Sequence, residues 1–264
     1  MSLLRRWATL GTRLGMLLTA ALLVTAPLGG CASAPSAGAE AAPLGTHPSD
    51  PWEAFNRKVF AFNDALDDAV LRPVATAYRD VVPELIRRGV DNFLGNVGDV
   101  WSAANHLLQG KLQSGVEMAA RVGVNTFAGL GGLLDPATEM RLVRRSEDFG
   151  QTLGRWGIGP GAYVVLPLFG PRTVRDTFGF VVDSQFEPSR LPPTEAGRYT
   201  TAALAVLNTR TNLLSTTALI NQVALDRYTF VRDAYLQRRL DVVYDGAPPL
   251  ETFDDEPEDG KPKK

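Results

Sequence analysis

Cysteine is nearly missing from this sequence: Cys31 is the only one among 264 residues. No intramolecular disulfide is available, so the folded part must be held by packing and hydrogen bonds. Histidine is almost as scarce. His47 sits in a Pro- and Gly-containing stretch and His106 on a helical pattern, and neither has carboxylates or further histidines at metal-ligand spacing. His106 reads as a structural hydrogen-bonding group rather than a base. No Gly-x-Ser-x-Gly elbow occurs. Gly157-Ile158-Gly159-Pro160-Gly161 lacks the Gly-Lys-Ser/Thr ending of a phosphate loop, and Pro160 removes one N–H donor, so it reads as a tight loop. The acidic pairs Asp67-Asp68 and Glu147-Asp148 are adjacent, so their side chains diverge on a helix. Basic blocks interleaved with aromatics are absent, which speaks against nucleic acid. These absences leave no expectation of an enzyme, a metal site or a cofactor.

The N-terminus carries the first positive signal. Arg5, Arg6 and Arg13 form a basic region ahead of a short apolar run, Met16 to Pro27, too short for a membrane span and suited to a secretory leader. Leu28-Gly29-Gly30-Cys31 closes it and resembles a bacterial lipobox, which implies that the Cys31 thiol takes a diacylglyceryl group and becomes the mature N-terminus. An ordinary signal peptide with an incidental cysteine is the alternative, and it leaves a lone exported thiol unexplained. Ala32 follows, without the acidic residue of inner-membrane retention; by resemblance this favours the outer membrane. The expected organisation is a signal peptide over 1–30, a lipidated flexible tether over 31–49, one helical domain over 50–244 and an acidic, disordered tail over 245–264. The formal net charge is −2, and with the acidic tail set aside the body is close to neutral.

Within the body, periodicity predicts helices almost throughout. Asp50-Pro51-Trp52-Glu53 reads as a helix start with Asp50 as N-cap, followed by Phe55, Val59, Phe62 and Leu66 at helical spacing. Pro73 is expected to break that helix. Ile86, Val90, Phe93 and Val97 mark another helix, which continues to Gly110, and Leu112, Val116, Ala119, Ala120, Gly123 and Phe127 form a face suited to close helix approach. Ala162 to Phe169 is β-prone, Pro171 is expected to open a helix, and two long helices follow, over 194–219 and 221–244. Asn56, Asn63, Asn92, Asn96, Asn105 and Asn125 recur in apolar helical contexts; they read as inter-helix staples, with the lining of an amphipathic cavity as the sharper possibility.

In order, Asp50-Pro51-Trp52-Glu53-Ala54-Phe55-Asn56-Arg57, Phe60-Ala61-Phe62-Asn63, Arg72-Pro73-Val74-Ala75, Gly129-Leu130-Gly131-Gly132, Glu147-Asp148-Phe149-Gly150-Gln151-Thr152-Leu153-Gly154 and Leu166-Pro167-Leu168-Phe169-Gly170-Pro171 resemble the VacJ/MlaA family of outer-membrane lipoproteins. The resemblance runs from Asp50 to about Asp183. It implies an all-α, disc- or ring-shaped domain in the periplasmic leaflet of the outer membrane, with an amphipathic channel. It also implies removal of mislocalised phospholipid from the outer leaflet, a soluble periplasmic lipid carrier as recipient, and a trimeric outer-membrane porin as partner. A structural lipoprotein that scaffolds porins without moving lipid is the competing reading. Phe55, Phe60, Phe62, Asn63, Gly129, Leu130, Gly131 and Gly132 are the lipid-path candidates. On this expectation an Asn63→Ala variant leaves more phospholipid in the outer leaflet than the wild type, read by lipid analysis of the cell surface; normal lipid content counts against the choice of Asn63.

Overall fold

The computed structural model describes residues 47–249. Cys31, the leader, most of the tether and the end of the tail lie outside the described residues. The described chain is a succession of helices with one small hairpin. Helix α1 spans Glu53–Leu66, passes through a five-residue π-helical segment, Asp67–Leu71, and continues directly into α2, Arg72–Val81. The long α3, Glu84–Leu108, packs antiparallel on α4, Leu112–Phe127, and short helices α5, Pro136–Glu139, and α6, Phe149–Arg155, follow. Strands β1, Tyr163–Leu166, and β2, Gly170–Thr173, pair antiparallel with Tyr163 opposite Thr173 and Leu166 opposite Gly170. Helix α7, Val174–Asp183, packs on α6, and α8, Glu195–Asn212, α9, Leu214–Val223, and α10, Arg227–Val243, complete the order.

Pro73 does not break the first helix. The π segment lets the Arg72 N–H reach the Asp67 carbonyl five residues back, so Pro73 falls in the first turn of a fresh α-helix, where its missing N–H costs little. Asp50 is not an N-cap either. Helix α1 begins at Glu53 without a side-chain cap, and Asp50 is wholly buried, accepting hydrogen bonds from Asn56 Nδ2 at 2.8 Å and from the Tyr228 hydroxyl. Pro171 sits in β2, and the following helix starts only at Val174 because the Thr173 hydroxyl accepts the Asp176 N–H. The C-terminal region forms three helices rather than two, the last opened by Asp226, whose carboxylate accepts the Tyr228 N–H.

The hydrophobic core is small. Tyr163, Val165 and Tyr228 meet at its centre, with Val59, Phe60, Tyr235 and Leu236 against them, so the hairpin is clasped between α1 and α10. Asn56 ties α1 to the hairpin and, through Asp50, to Tyr228 of α10: its amide donates to Asp50 and to the Tyr163 carbonyl at 3.1 Å, and accepts the Val165 N–H at 2.9 Å. Helices α6 and α7 approach closely through glycine; a Cβ on Gly179 would lie 2.4 Å from the Gly150 nitrogen. Bidentate ion pairs from Arg210 to Asp67 and from Arg227 to Asp64 fasten the ends of α8 and α10 to the first helical run.

Because Asn56 is inaccessible and Asp50 keeps Tyr228 as a partner, Asn56→Ala takes a bond from two buried backbone groups, the Tyr163 carbonyl and the Val165 N–H, and is expected to cost about 2–4 kcal/mol, at roughly 1–2 kcal/mol for each. In a domain of this size that lowers the thermal midpoint by roughly 5–10 °C, measurable by circular dichroism in detergent. An unchanged midpoint contradicts the account of the clasp.

Candidate functional site

The usual partition of side chains is inverted over much of this fold. Among the described residues, buried polar and charged side chains outnumber buried hydrophobic ones by more than two to one, while many large apolar residues are exposed. Helix α3 shows why. Asn96, Asp99, Ala103 and His106 follow helical spacing on its buried face, joined by Ser102 and Asn105. Ile86, Phe93, Val100 and Leu107, seven residues apart, form an outward stripe with exposures of 57, 38, 57 and 49 %. At 1.5 Å per residue, the helix that carries this stripe is about 37 Å long. Helix α4 repeats the pattern: Gly115, Met118, Arg121 and Asn125 are buried, whereas Leu112, Val116 and Phe127 are exposed. The face expected to pack against another helix therefore points outward, and α3 and α4 approach through Gly115, where a Cβ would lie 2.7 Å from Leu107 Cδ2.

Regular apolar stripes differ from the singly scattered apolar residues that are normal on a soluble surface. They belong to the partition expected where acyl chains are the surrounding solvent, with polar groups kept inside the protein. No helix among the described residues is long and apolar enough to cross a membrane.

The buried polar groups form connected clusters. Arg121, 1 % exposed, donates to the Leu142 carbonyl at 2.6 Å and Thr138 Oγ1 at 3.0 Å, pairs with Asp135, and approaches Asp99 Oδ2 at 3.4 Å. Arg144 also donates to Asp99, at 2.9 Å. Burial pushes the Asp99 carboxyl above its ordinary pKa, against the pull of Arg144 and Arg121. Burial acts the same way on Asp135, but hydrogen bonds from Thr138, Asn125 and Arg121 outweigh it and hold that carboxyl below the ordinary range. A second cluster fixes the segment before α6 on α3. Gln109 bridges Glu147 at 2.8 Å and Thr152 at 3.1 Å, Thr152 donates to Asn105 at 2.7 Å, and Lys111 reaches Glu147 at 3.1 Å. His106 is buried there with Nε2 3.1 Å from the Arg145 carbonyl, in the structural role that the sequence suggests.

The lipid-path candidates divide by position. Phe55 and Phe62 project from one face of α1, both more than half exposed. Phe60 turns inward and meets Tyr228 edge to face at 5.7 Å. Asn63 has its amide committed to the hairpin, donating to the Leu166 carbonyl at 3.0 Å and accepting the Leu168 N–H at 2.8 Å. Leu130 is 70 % exposed at the tip of a turn in which Leu130, Gly131 and Gly132 all have positive φ. Gly129 and Gly132 are buried beneath it; a Cβ on Gly129 would lie 2.4 Å from the Asn125 carbonyl oxygen, and one on Gly132 2.8 Å from Asn96 Nδ2. The outer stripe of α3 and the Arg121 cluster were not singled out from sequence. The available signal was the polar line Asn96, Asp99, Ser102, Asn105 and His106, as regular as the apolar one.

The family described as MlaA lipoprotein matches residues 48–241. The intermembrane phospholipid transport system lipoprotein MlaA of Escherichia coli (strain K12) is 41 % identical over 197 residues, covering 72 % of this chain and 76 % of that protein. The Haemophilus influenzae protein of the same name is 31 % identical over 205 residues, covering 75 % and 80 %. A solved structure from work on the structural basis for maintenance of bacterial outer membrane lipid asymmetry superposes with a TM-score of 0.65 at 38 % identity, covering 74 % of this chain and 99 % of the other.

Proposed function

This chain belongs to the MlaA lipoprotein family, and on that footing we propose that it removes mislocalised phospholipid from the outer leaflet of the outer membrane and passes it to a soluble periplasmic carrier. Its work is intermembrane phospholipid transport in the service of outer-membrane lipid asymmetry. Lipidation at Cys31 and attachment on the periplasmic side of the outer membrane, beside a trimeric porin, are parts of the same proposal. The family is one of lipid-transport lipoproteins rather than a known class of enzyme.

The observation that carries this reading is the polar interior under an apolar exterior, in a fold with no spanning helix among its described residues. Helices of that kind lie against acyl chains without crossing the bilayer. A phospholipid leaving a membrane unaided exposes two acyl chains, which at about 0.8 kcal/mol per CH₂ costs on the order of 20 kcal/mol or more. The sequence carries no nucleotide-binding motif, so this protein acts by lowering the barrier along a path. Phe55, Phe62 and Leu130 supply exposed apolar contacts for the chains. Phe60, Asn63 and the buried Gly129 and Gly132 hold those contacts in place from behind, with the exposed Gly131 beside Leu130 at the turn.

A Val100→Asp, Leu107→Asp double variant places two carboxylates on the outer stripe, each costing roughly 2.5–3.5 kcal/mol at bilayer depth. Both positions are half exposed, so the fold is expected to survive, with a thermal midpoint in detergent close to wild type. Outer-leaflet phospholipid, read by its accessibility to added phospholipase, is expected to rise towards the level of cells lacking the protein. A folded variant that keeps outer-leaflet phospholipid at wild-type levels overturns the reading. Wild-type protein that captures porin yet passes no lipid to a carrier supports the scaffold instead.

A further inference from the structure

The loop Gly157–Gly161, which lacks the sequence features of a phosphate loop, forms one lip of a cavity of about 530 Å³ whose opposite wall is the C-terminal half of α10. That volume is in the range of small-ligand sites, roughly 300–1,000 Å³. The cavity is amphipathic. Ile158 and Leu240, each about half exposed, make its mouth apolar, and Val243 is buried behind them. Arg175 also lines it.

The Arg175 side chain is 6 % exposed, and among the described residues its one ion pair is through Nε to Asp176 Oδ1 at 3.0 Å. Nη1 has a single long contact, 3.4 Å from the Ile158 carbonyl. Asp176 is divided among partners, because Arg239 Nη2 donates to it at 3.0 Å and the Tyr235 hydroxyl at 2.8 Å. Arg239 itself is taken up by Asp148 through two bonds of 2.6 Å. The carboxylate on the cavity wall, Asp233, accepts from Arg232 Nε at 2.8 Å. Gly154 makes room for the guanidinium, since a Cβ there would come 2.8 Å from Arg175 Nη1. A guanidinium has five donors in a planar fork suited to phosphate oxygens. Arg175 spends two of them on the contacts above, and the fork is buried where a charge-assisted bond is strongest.

We propose that this cavity binds the phosphate of an amphipathic phosphate ester, with Arg175 as the phosphate ligand and Ile158 and Leu240 against the first carbons of its chains. The assignment goes beyond the transport reading and does not depend on it, since binding here requires no lipid movement.

The test uses full-length protein in detergent and a short-chain phosphatidylglycerol bearing a photoreactive headgroup, with adducts mapped by mass spectrometry. Labelling is expected in peptides containing Ile158 and Leu240, competed by dihexanoyl phosphatidylglycerol and at least tenfold more weakly by dihexanoylglycerol, which has no phosphate. Competition by glycerol 3-phosphate as strong as that by the lipid keeps the phosphate site and identifies a free phosphate ester as its source. Gly159→Trp is placed to plug the mouth, because beyond its chain neighbours no heavy atom of the described residues lies within 4 Å of a Cβ there and the backbone is outside the left-handed region. It is expected to cut labelling at least fivefold, and Arg175→Lys, which keeps the charge and loses the fork, is expected to weaken it several-fold. Equal competition by dihexanoylglycerol, or undiminished labelling of Gly159→Trp, overturns the proposal.

Discussion

Polar side chains enclosed between helices must find partners inside the protein, and the arrangement of this fold follows from meeting that demand. Arg121 is the extreme case, a nearly inaccessible guanidinium with Asp99, Asp135, Thr138 and the Leu142 carbonyl around it. These partners come from α3, from the residues before and within α5, and from the chain that follows, so one cation draws four stretches together. Such a pair adds little net stability over a well-packed apolar core, yet removing one partner leaves an uncompensated buried charge and is strongly destabilising. The interior is thereby tied to one register. With most of its buried polar side chains paired internally, the fold can turn apolar stripes outward.

Much of the fold was legible in the sequence. Helical spacing identified most elements because the 3.6-residue pattern does not depend on which solvent lies outside. The asparagines read as staples act as staples: Asn56 and Asn63 hold the hairpin, Asn92 bonds to the segment after α4, Asn96 bonds to Thr126 in the last turn of α4, and Asn105 and Asn125 join buried clusters. The direction of the faces was not legible. Ile86 and Phe93 mark a helix by their spacing, but the same spacing serves a face turned to a core and a face turned outward, and here both are exposed. Asp50 also misled. Its sequence context suits an N-cap, but Tyr228 and Arg232, far away in sequence, draw it into the interior. A long-range partner of that kind has no local signal. Cys31 and the leader remain sequence readings, outside the described residues.

The site divides in a way that suits transport. On the proposed reading, exposed, conformationally simple apolar side chains such as Phe55, Phe62 and Leu130 offer contact without specificity, as a path for varied acyl chains requires. Specific chemistry is kept behind them. Ion pairs fasten α8 and α10 to the first helical run through Asp64 and Asp67, and α9 lies between these two attachments. The cavity beside α10 presents the opposite balance, one buried cation at an apolar mouth, and so favours a particular headgroup chemistry over bulk chain contact.

The central claim is that the outward faces of α3 and α4 meet acyl chains. It is tested most directly by spin labels at Phe93→Cys, Val100→Cys, Leu107→Cys and Val116→Cys in full-length protein reconstituted in bilayers, with Arg238→Cys and Asp241→Cys on α10 as references. The account predicts that labels on α3 and α4 are far more accessible to oxygen than to a water-soluble nickel complex, while the two references show the reverse. Equal access of the nickel complex to all six positions would contradict it.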